Sequence, residues 1–260
     1  MKRFALTLAL TVAVIFGALA QTGRIVTFDS PKLTVYIPPV HQQNGRALVA
    51  CPGGGYSHLA AGHEGHYWAP YFNEMGITYA VLEYQMPQGD RDKLLGEVEQ
   101  AFKIITDSAE VWKVNPLNIG IMGSSAGGHL ASACATHPTE IMKPAFQVLF
   151  YPVVSLDPEL THNGTRREFI GADADQALTD EWSANKKVTA TTPRAFIALS
   201  ADDKTVKPEN SLEYFKALKD AAVPVSMFIW PNGGHGWGYR TKFKFHDQML
   251  AELRTWLKSF

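Results

Sequence analysis

Apolar, aromatic and β-branched residues gather along the chain in eight short runs: Arg24 to Phe28, Leu33 to Ile37, Ala47 to Cys51, Ile77 to Tyr84, Ile119 to Met122, Phe146 to Val154, Ala195 to Leu199 and Val225 to Trp230. Each reads as a strand. From the third run onward they alternate with stretches of helical period, over about His66 to Glu74, Asp90 to Val114, Ala126 to His137, Pro208 to Ala222, and Lys242 to the C-terminus. Such alternation predicts an α/β fold, a mostly parallel eight-stranded sheet with helices on both faces. The first two runs are separated only by Ser30-Pro31 and predict an antiparallel lead-in. The stretch from Leu156 to Pro193 has no clear periodicity and is too long for a simple turn. Loops of that size in compact domains carry function or minor structure of their own, and a short helix is expected around Gln176 to Trp182. With no internal repeat and no linker, residues 21–260 are expected to form one domain.

Ahead of these runs stands "MKRFALTLALTVAVIFGALA", with a basic start at Lys2 and Arg3, an apolar stretch, and Ala18-Leu19-Ala20 before Gln21. This pattern predicts a secretory signal peptide over 1–20 and a secreted or periplasmic protein. A retained membrane anchor is the other reading of the same stretch. No cysteine follows the cleavage position, so a lipid anchor there has no support.

Overall composition, 46% hydrophobic and 19% charged, is ordinary for one soluble globular domain. Without Lys2 and Arg3 the chain holds 22 basic and 25 acidic residues, a net charge of −3. That balance gives no reason to expect nucleic acid or an acidic membrane as a partner, nor stable membrane association once the signal is removed. The oligomeric state is left open. Cys51 and Cys134 fall at a strand end and inside a helix and read as small buried hydrophobes rather than a disulfide. Asn163-Gly164-Thr165 is a glycosylation sequon, with meaning only in a eukaryotic source.

Chemistry enters at "IMGSSAGGHLAS", residues 121 to 132, where two serines stand side by side. Gly123-Ser124-Ser125-Ala126-Gly127 fits G-x-S-x-G with Ser125 at its centre; Ser124 has Met122 and Ala126 at the flanking positions and does not fit. A strand that stops abruptly, a strained turn and a helix directly behind would push the Ser125 hydroxyl outward. Asp203, in "ALSADDKTV" after the seventh strand, and His235, in "PNGGHGWG" after the eighth, complete the order Ser, Asp, His found in α/β-hydrolases. Asp202 competes with Asp203, but only Asp203 has Val206 three residues on, the aspartate-x-x-valine arrangement usual in this loop of related hydrolases. Gly53-Gly54-Gly55 follow the third strand, where an oxyanion loop is expected, so Gly54, Gly55 and Ala126 are the candidate backbone donors. Tyr56 and Trp237 stand beside these loops, either against a sugar or as loop packing. His63-Glu64-Gly65-His66 lacks the H-E-x-x-H spacing of a zinc site, so no metal is expected and Glu64 reads as a favourable charge at the start of the next helix. His129, four residues after Ser125, reads as a packing or capping histidine.

Taken together, Pro52-Gly53-Gly54-Gly55-Tyr56, His63-Glu64-Gly65, Gly123 to His129, Ala201 to Val206 and Gly233-Gly234-His235-Gly236 resemble the motifs of secreted α/β-hydrolase carbohydrate esterases. The group is acetyl xylan esterase-like, with feruloyl esterase-like and hormone-sensitive-lipase-like relatives, and the resemblance covers nearly the whole chain after the signal. It implies removal of short acyl groups, foremost acetyl, from plant polysaccharide such as xylan. It also implies Ser125, Asp203 and His235 as triad and no cofactor. Pro52 stands where the lipase-like enzymes carry histidine, which points away from that branch. A feruloyl esterase, a prolyl-oligopeptidase-type serine peptidase and a catalytically silent binding protein are the competing readings. The peptidase shares fold and triad order, yet this chain has no room for a propeller domain and no obvious acidic pair for a free amino terminus.

Overall fold

The computed structural model describes residues 23–260, so the signal-peptide reading of 1–20 lies outside the described residues. Eight strands form one sheet: β1 (Arg24–Asp29), β2 (Lys32–Ile37), β3 (Ala47–Cys51), β4 (Thr78–Leu82), β5 (Ile119–Ser124), β6 (Phe146–Phe150), β7 (Arg194–Ser200) and β8 (Val225–Trp230). Their spatial order is β1-β2-β4-β3-β5-β6-β7-β8. β1 and β2 pair antiparallel with Phe28 opposite Leu33, β2 is antiparallel to β4, and every pairing from β4 to β8 is parallel. All residues of β3, β4, β5 and β6 are buried, as expected of parallel strands covered on both faces. This is the α/β-hydrolase fold.

Chain direction across the sheet explains where the helices lie. The step from β3 to β4 goes one way and the return to β5 and onward goes the other, so right-handed crossovers place their helices on opposite faces. One face receives α1 (Ala69–Glu74) and the C-terminal α8 (His246–Leu257), which touch where Tyr71 Oη donates to the Leu250 carbonyl at 2.7 Å. The opposite face receives α2 (Arg91–Asp107), α4 (Ser125–Thr136) and α7 (Glu209–Asp220). The expected helix over Asp90 to Val114 breaks at Ser108, beyond which α3 (Ala109–Trp112) is a separate turn. Because the order reverses between β3 and β5, their C-terminal ends diverge and open a crevice, the usual ligand position in such sheets.

The aperiodic stretch after β6 contains more helix than its sequence suggests. Besides α6 (Gln176–Glu181), close to the expected helix, it holds α5 (Asn163–Ile170). Buried Arg166 ties the segment together, donating to the carbonyls of Leu156, Gly171, Ala172 and Ala174. Phe169 anchors it to α4, stacked on Tyr56 with centroids 5.7 Å apart and edge-on to His129 at 4.7 Å. The segment thereby forms one wall of the crevice. Cys51 and Cys134 are both free and buried. Among the described residues, no helix is long and apolar enough to cross a membrane.

Candidate active site

Ser125 is the first residue of α4, directly after β5, and its φ is +54°. A side chain rarely adopts that conformation, and here it is held by close packing of the turn. A Cβ on Gly123 would come within 2.0 Å of the Gly127 carbonyl oxygen, and one on Gly127 within 2.0 Å of the Cys51 oxygen. Glycine at both positions lets β5 turn into α4 while α4 lies against the end of β3. Ser124, the last strand residue, is fully buried, whereas Ser125 borders a cavity of about 570 Å³.

His235 reaches Ser125 from the loop after β8, with Nε2 2.8 Å from Oγ. Its Nδ1 lies 2.6 Å from Asp203 Oδ2. Asp203 is buried, and its other oxygen accepts the backbone N–H groups of Thr205 at 2.9 Å and Val206 at 3.0 Å. The carboxylate is thus satisfied on both oxygens and fixed in direction, and the imidazole is oriented by it. Asp202 is exposed and accepts the Gly234 N–H at 2.8 Å, so it braces the histidine loop from outside. A hydroxyl, an imidazole and a buried carboxylate in this chain of contacts can generate a nucleophilic oxygen.

The glycine loop after β3 borders the same cavity at Gly54 and Gly55, with φ of +134° and +65°. Positive φ is open to glycine and rare for other residues, and it brings this backbone to the cavity that Ser125 borders. Ala126 follows Ser125 in the first turn of α4, where helix N–H groups lack an intrahelical acceptor. Gly53 is occupied differently: its N–H donates to Glu64 Oε2 at 2.8 Å.

Glu64 overturns its sequence reading. It does not face the following helix but turns inward, 3% exposed, and its Oε1 accepts the Tyr151 hydroxyl at 2.8 Å. Tyr151 Oη in turn accepts the Gly238 N–H at 2.8 Å. A buried carboxylate demands hydrogen-bond donors, and Gly53 and Tyr151 supply them, linking the glycine loop to the end of β6 and, through the Tyr151 hydroxyl, to the histidine loop. Tyr151 also sets its ring 4.7 Å from that of His235.

Tyr56 and Trp237 are corrected as sugar contacts. Tyr56 is 1% exposed, and its hydroxyl meets His129 Nδ1 at 3.0 Å. Trp237 is 4% exposed, stacks on Phe243 at 4.2 Å and donates Nε1–H to Ser200 Oγ at 3.1 Å. Neither borders the cavity; both pack the loops that carry the site. His129 is wholly buried, and desolvation holds its pKa down at about 4. It is a neutral packing residue.

Sequence reasoning missed His162 and Arg167, carried to the cavity by the segment after β6. Burial, then the nearby His235 and Arg167, lower the His162 pKa. Its Nδ1 accepts the Thr165 N–H at 3.2 Å, which leaves the neutral ring in the Nε2–H form, a donor. Periodicity could not reveal this residue, because its cap and its helix lie in a polar stretch.

Residues 88–259 match the family model described as the prolyl oligopeptidase family. The chain belongs to that family. Proteins of similar sequence include an acetylxylan esterase of Xylanibacter ruminicola, 41% identical over 92% of this chain and 52% of that protein. Endo-1,4-beta-xylanase B of Butyrivibrio fibrisolvens is 29% identical over 73% of this chain and 32% of its own length. The chain thus spans about half, or a third, of these relatives. Among solved structures, the acetyl ester-xyloside bifunctional hydrolase of Caldicellulosiruptor lactoaceticus superposes with a TM-score of 0.82, at 31% identity and 88% coverage of both chains.

Proposed function

We propose that the chain is a secreted serine carboxylesterase that removes short acyl groups, foremost acetyl, from xylan. The observation that carries this reading is the contact chain Ser125–His235–Asp203 opening on a cavity bordered by Gly54 and Gly55. In the proposed reaction His235 takes the Ser125 proton as Oγ attacks the ester carbonyl. The N–H groups of Gly54, Gly55 and Ala126 receive the oxyanion, and the sugar hydroxyl leaves with the proton from His235. Water, activated by the same imidazole, then releases the acid and restores Ser125. Likeness to the acetylxylan esterase supports xylan as the alcohol side.

The peptidase alternative, raised again by the family's name, needs carboxylates for the substrate's amino terminus where it cleaves from a free terminus. Among the described residues Glu64 is the one carboxylate bordering the cavity, and it is already bonded to Gly53 and Tyr151. Glycoside cleavage meets the same obstacle, since it uses two carboxyl groups flanking the bond.

Acyl preference follows from the cavity wall. Apart from Ala60 and the glycines, its lining is histidine, arginine, serine, threonine and glutamate, and among the described residues it has no aliphatic side chain larger than that of Ala60 to receive a long chain. Each methylene left unburied forgoes about 0.8 kcal/mol. The expected order of kcat/KM on p-nitrophenyl esters is acetate above butyrate and far above octanoate, abolished throughout in Ser125→Ala. A steady rise from acetate to octanoate would refute the short-acyl reading. Acetate release from acetylated xylan without cleavage of aminoacyl-proline anilides separates esterase from peptidase.

A further inference from the structure

Next to the catalytic cavity lies a second depression of about 760 Å³, formed by Tyr67, Pro70, Tyr239, Arg240, Thr241 and Lys242. Arg240 borders both spaces, so the two adjoin at its side chain. Tyr67 sits in the short 3-10 turn His66–Trp68 and is 59% exposed. Its ring lies over Gly62, where an added Cβ would meet Cζ at 3.4 Å. Tyr239 is half-buried and held from beneath, edge-on to Trp68 and to His246 at 5.0 Å each. Its N–H donates to the His63 carbonyl at 2.7 Å, fixing the wall of one space to the wall of the other. The Arg240 guanidinium stands 3.4 Å from His63 Nδ1 and, among the described residues, meets no carboxylate.

A lone exposed tyrosine is ordinary on a protein surface. Two tyrosines and a proline, next to the reacting groups and bordered by two cationic donors, are a built surface with a chemical preference. A pyranose presents C–H groups on its faces and hydroxyls around its rim. The electron-rich face of an aromatic ring receives the first, and Arg and Lys donate to the second.

We propose that this groove binds the xylan chain beyond the acetylated residue, with sugar units lying against Tyr67 and Tyr239 and hydroxyls meeting Arg240. The inference rests on the esterase reading and adds to it a preference for long oligosaccharides. The shared border at Arg240 is what selects sugar over other occupants: a polysaccharide whose ester is held at Ser125 must extend beyond the cavity, and this groove adjoins it.

The test compares acetate release from acetylated xylobiose and acetylated xylohexaose by the full chain, as wild type, Tyr67→Ala and Tyr67→Trp. Wild type is expected to favour the hexaose. Tyr67→Ala is expected to lower kcat/KM on the hexaose about 3- to 10-fold relative to the biose, through KM, with Tyr67→Trp restoring the preference. Calorimetric titration with unacetylated xylohexaose reads the groove without acyl transfer and should weaken in the alanine variant. Equal effects on both lengths overturn the proposal. So does a loss confined to octanoate esters, which would make the groove an acyl site, or a change in sedimenting mass, which would make it a contact between copies. Failure of wild type to release acetate from either oligosaccharide overturns the esterase reading itself, whereas release without length preference overturns the groove alone.

Discussion

Adjacent aspartates with opposite duties show how finely the site is set at the level of single residues. Asp203 points inward, one oxygen on His235 and the other on two backbone N–H groups. Asp202 points outward to the Gly234 N–H. The aspartate-x-x-valine spacing gains a physical meaning here, because the Val206 N–H is one of the groups that aim the carboxylate. Asparagine at 203 presents an amide to the imidazole and favours the wrong tautomer, so turnover is expected to fall about 10⁴-fold. Asparagine at 202 keeps an oxygen for Gly234 and exchanges a charged for a neutral hydrogen bond, a change of about 1 kcal/mol and about fivefold in rate. Steady-state kinetics on p-nitrophenyl acetate ranks the two; the reverse ranking in folded variants would move the orienting role to Asp202.

Elements are joined at Glu64, whose carboxylate bonds the loop after β3 and Tyr151 at the end of β6, while the Tyr151 hydroxyl receives the loop after β8. Glutamine at 64 can still accept from one donor but must turn its amide toward the other, displacing the glycine loop rather than unfolding it. Since loss of an oxyanion donor costs about 10²–10³ in turnover, a displaced one is expected to cost about tenfold in kcat with KM within about twofold. A purely structural role would lower the melting temperature and leave kcat of the folded enzyme alone. What was legible in the sequence follows from the same physics. β3 and β8 appear at the bounds of their apolar runs, β3 because it is buried throughout and β8, an edge strand mostly half-buried, because its run is β-branched and aromatic. The sixth run was read to Val154 but the strand ends at Phe150, because Tyr151 takes a φ of +36° to reach Glu64. α5 escaped notice because its sequence, NGTRREFI, is polar and its cap is His162. It is held by Arg166, whose carbonyl partners no periodicity announces. The triad order, strand ends and glycine loop were legible because each is a local pattern. The inward turn of Glu64 and the burial of Tyr56 and Trp237 were not, because an aromatic or acidic residue in a loop reads alike whether it covers a ligand or packs a wall.

Across the whole molecule, the catalytic wall depends on a histidine that takes no part in the reaction. His129 sits between Tyr56, Phe169 and the Trp182 carbonyl, on the helix that begins with Ser125. Both ring nitrogens are used by the neutral form: Nδ1 accepts from the Tyr56 hydroxyl at 3.0 Å and Nε2–H donates to the Trp182 oxygen at 3.0 Å. A proton on Nδ1 would bury a charge and remove that acceptor. Desolvation accordingly holds the folded pKa at about 4, below the ordinary 6.5. Between those values the unfolded chain binds the proton and the folded chain does not, so stability rises with pH through this window. The contribution is complete above pH 6.5 and is lost as pH falls through 4, about 3 kcal/mol in all. Because the same cluster seats the α5–α6 segment on α4, its opening would carry His162 and Arg167 away from the cavity, coupling acid stability to the substrate wall. Urea unfolding at pH 7, 5.5 and 4 measures the effect. Wild type is expected to lose about 3 kcal/mol more than His129→Gln across the range, since glutamine offers an acceptor and a donor but does not titrate. Parallel losses in the two proteins would show that His129 binds its proton equally in the folded and unfolded chains, and the acid sensitivity would then have to come from the carboxylates.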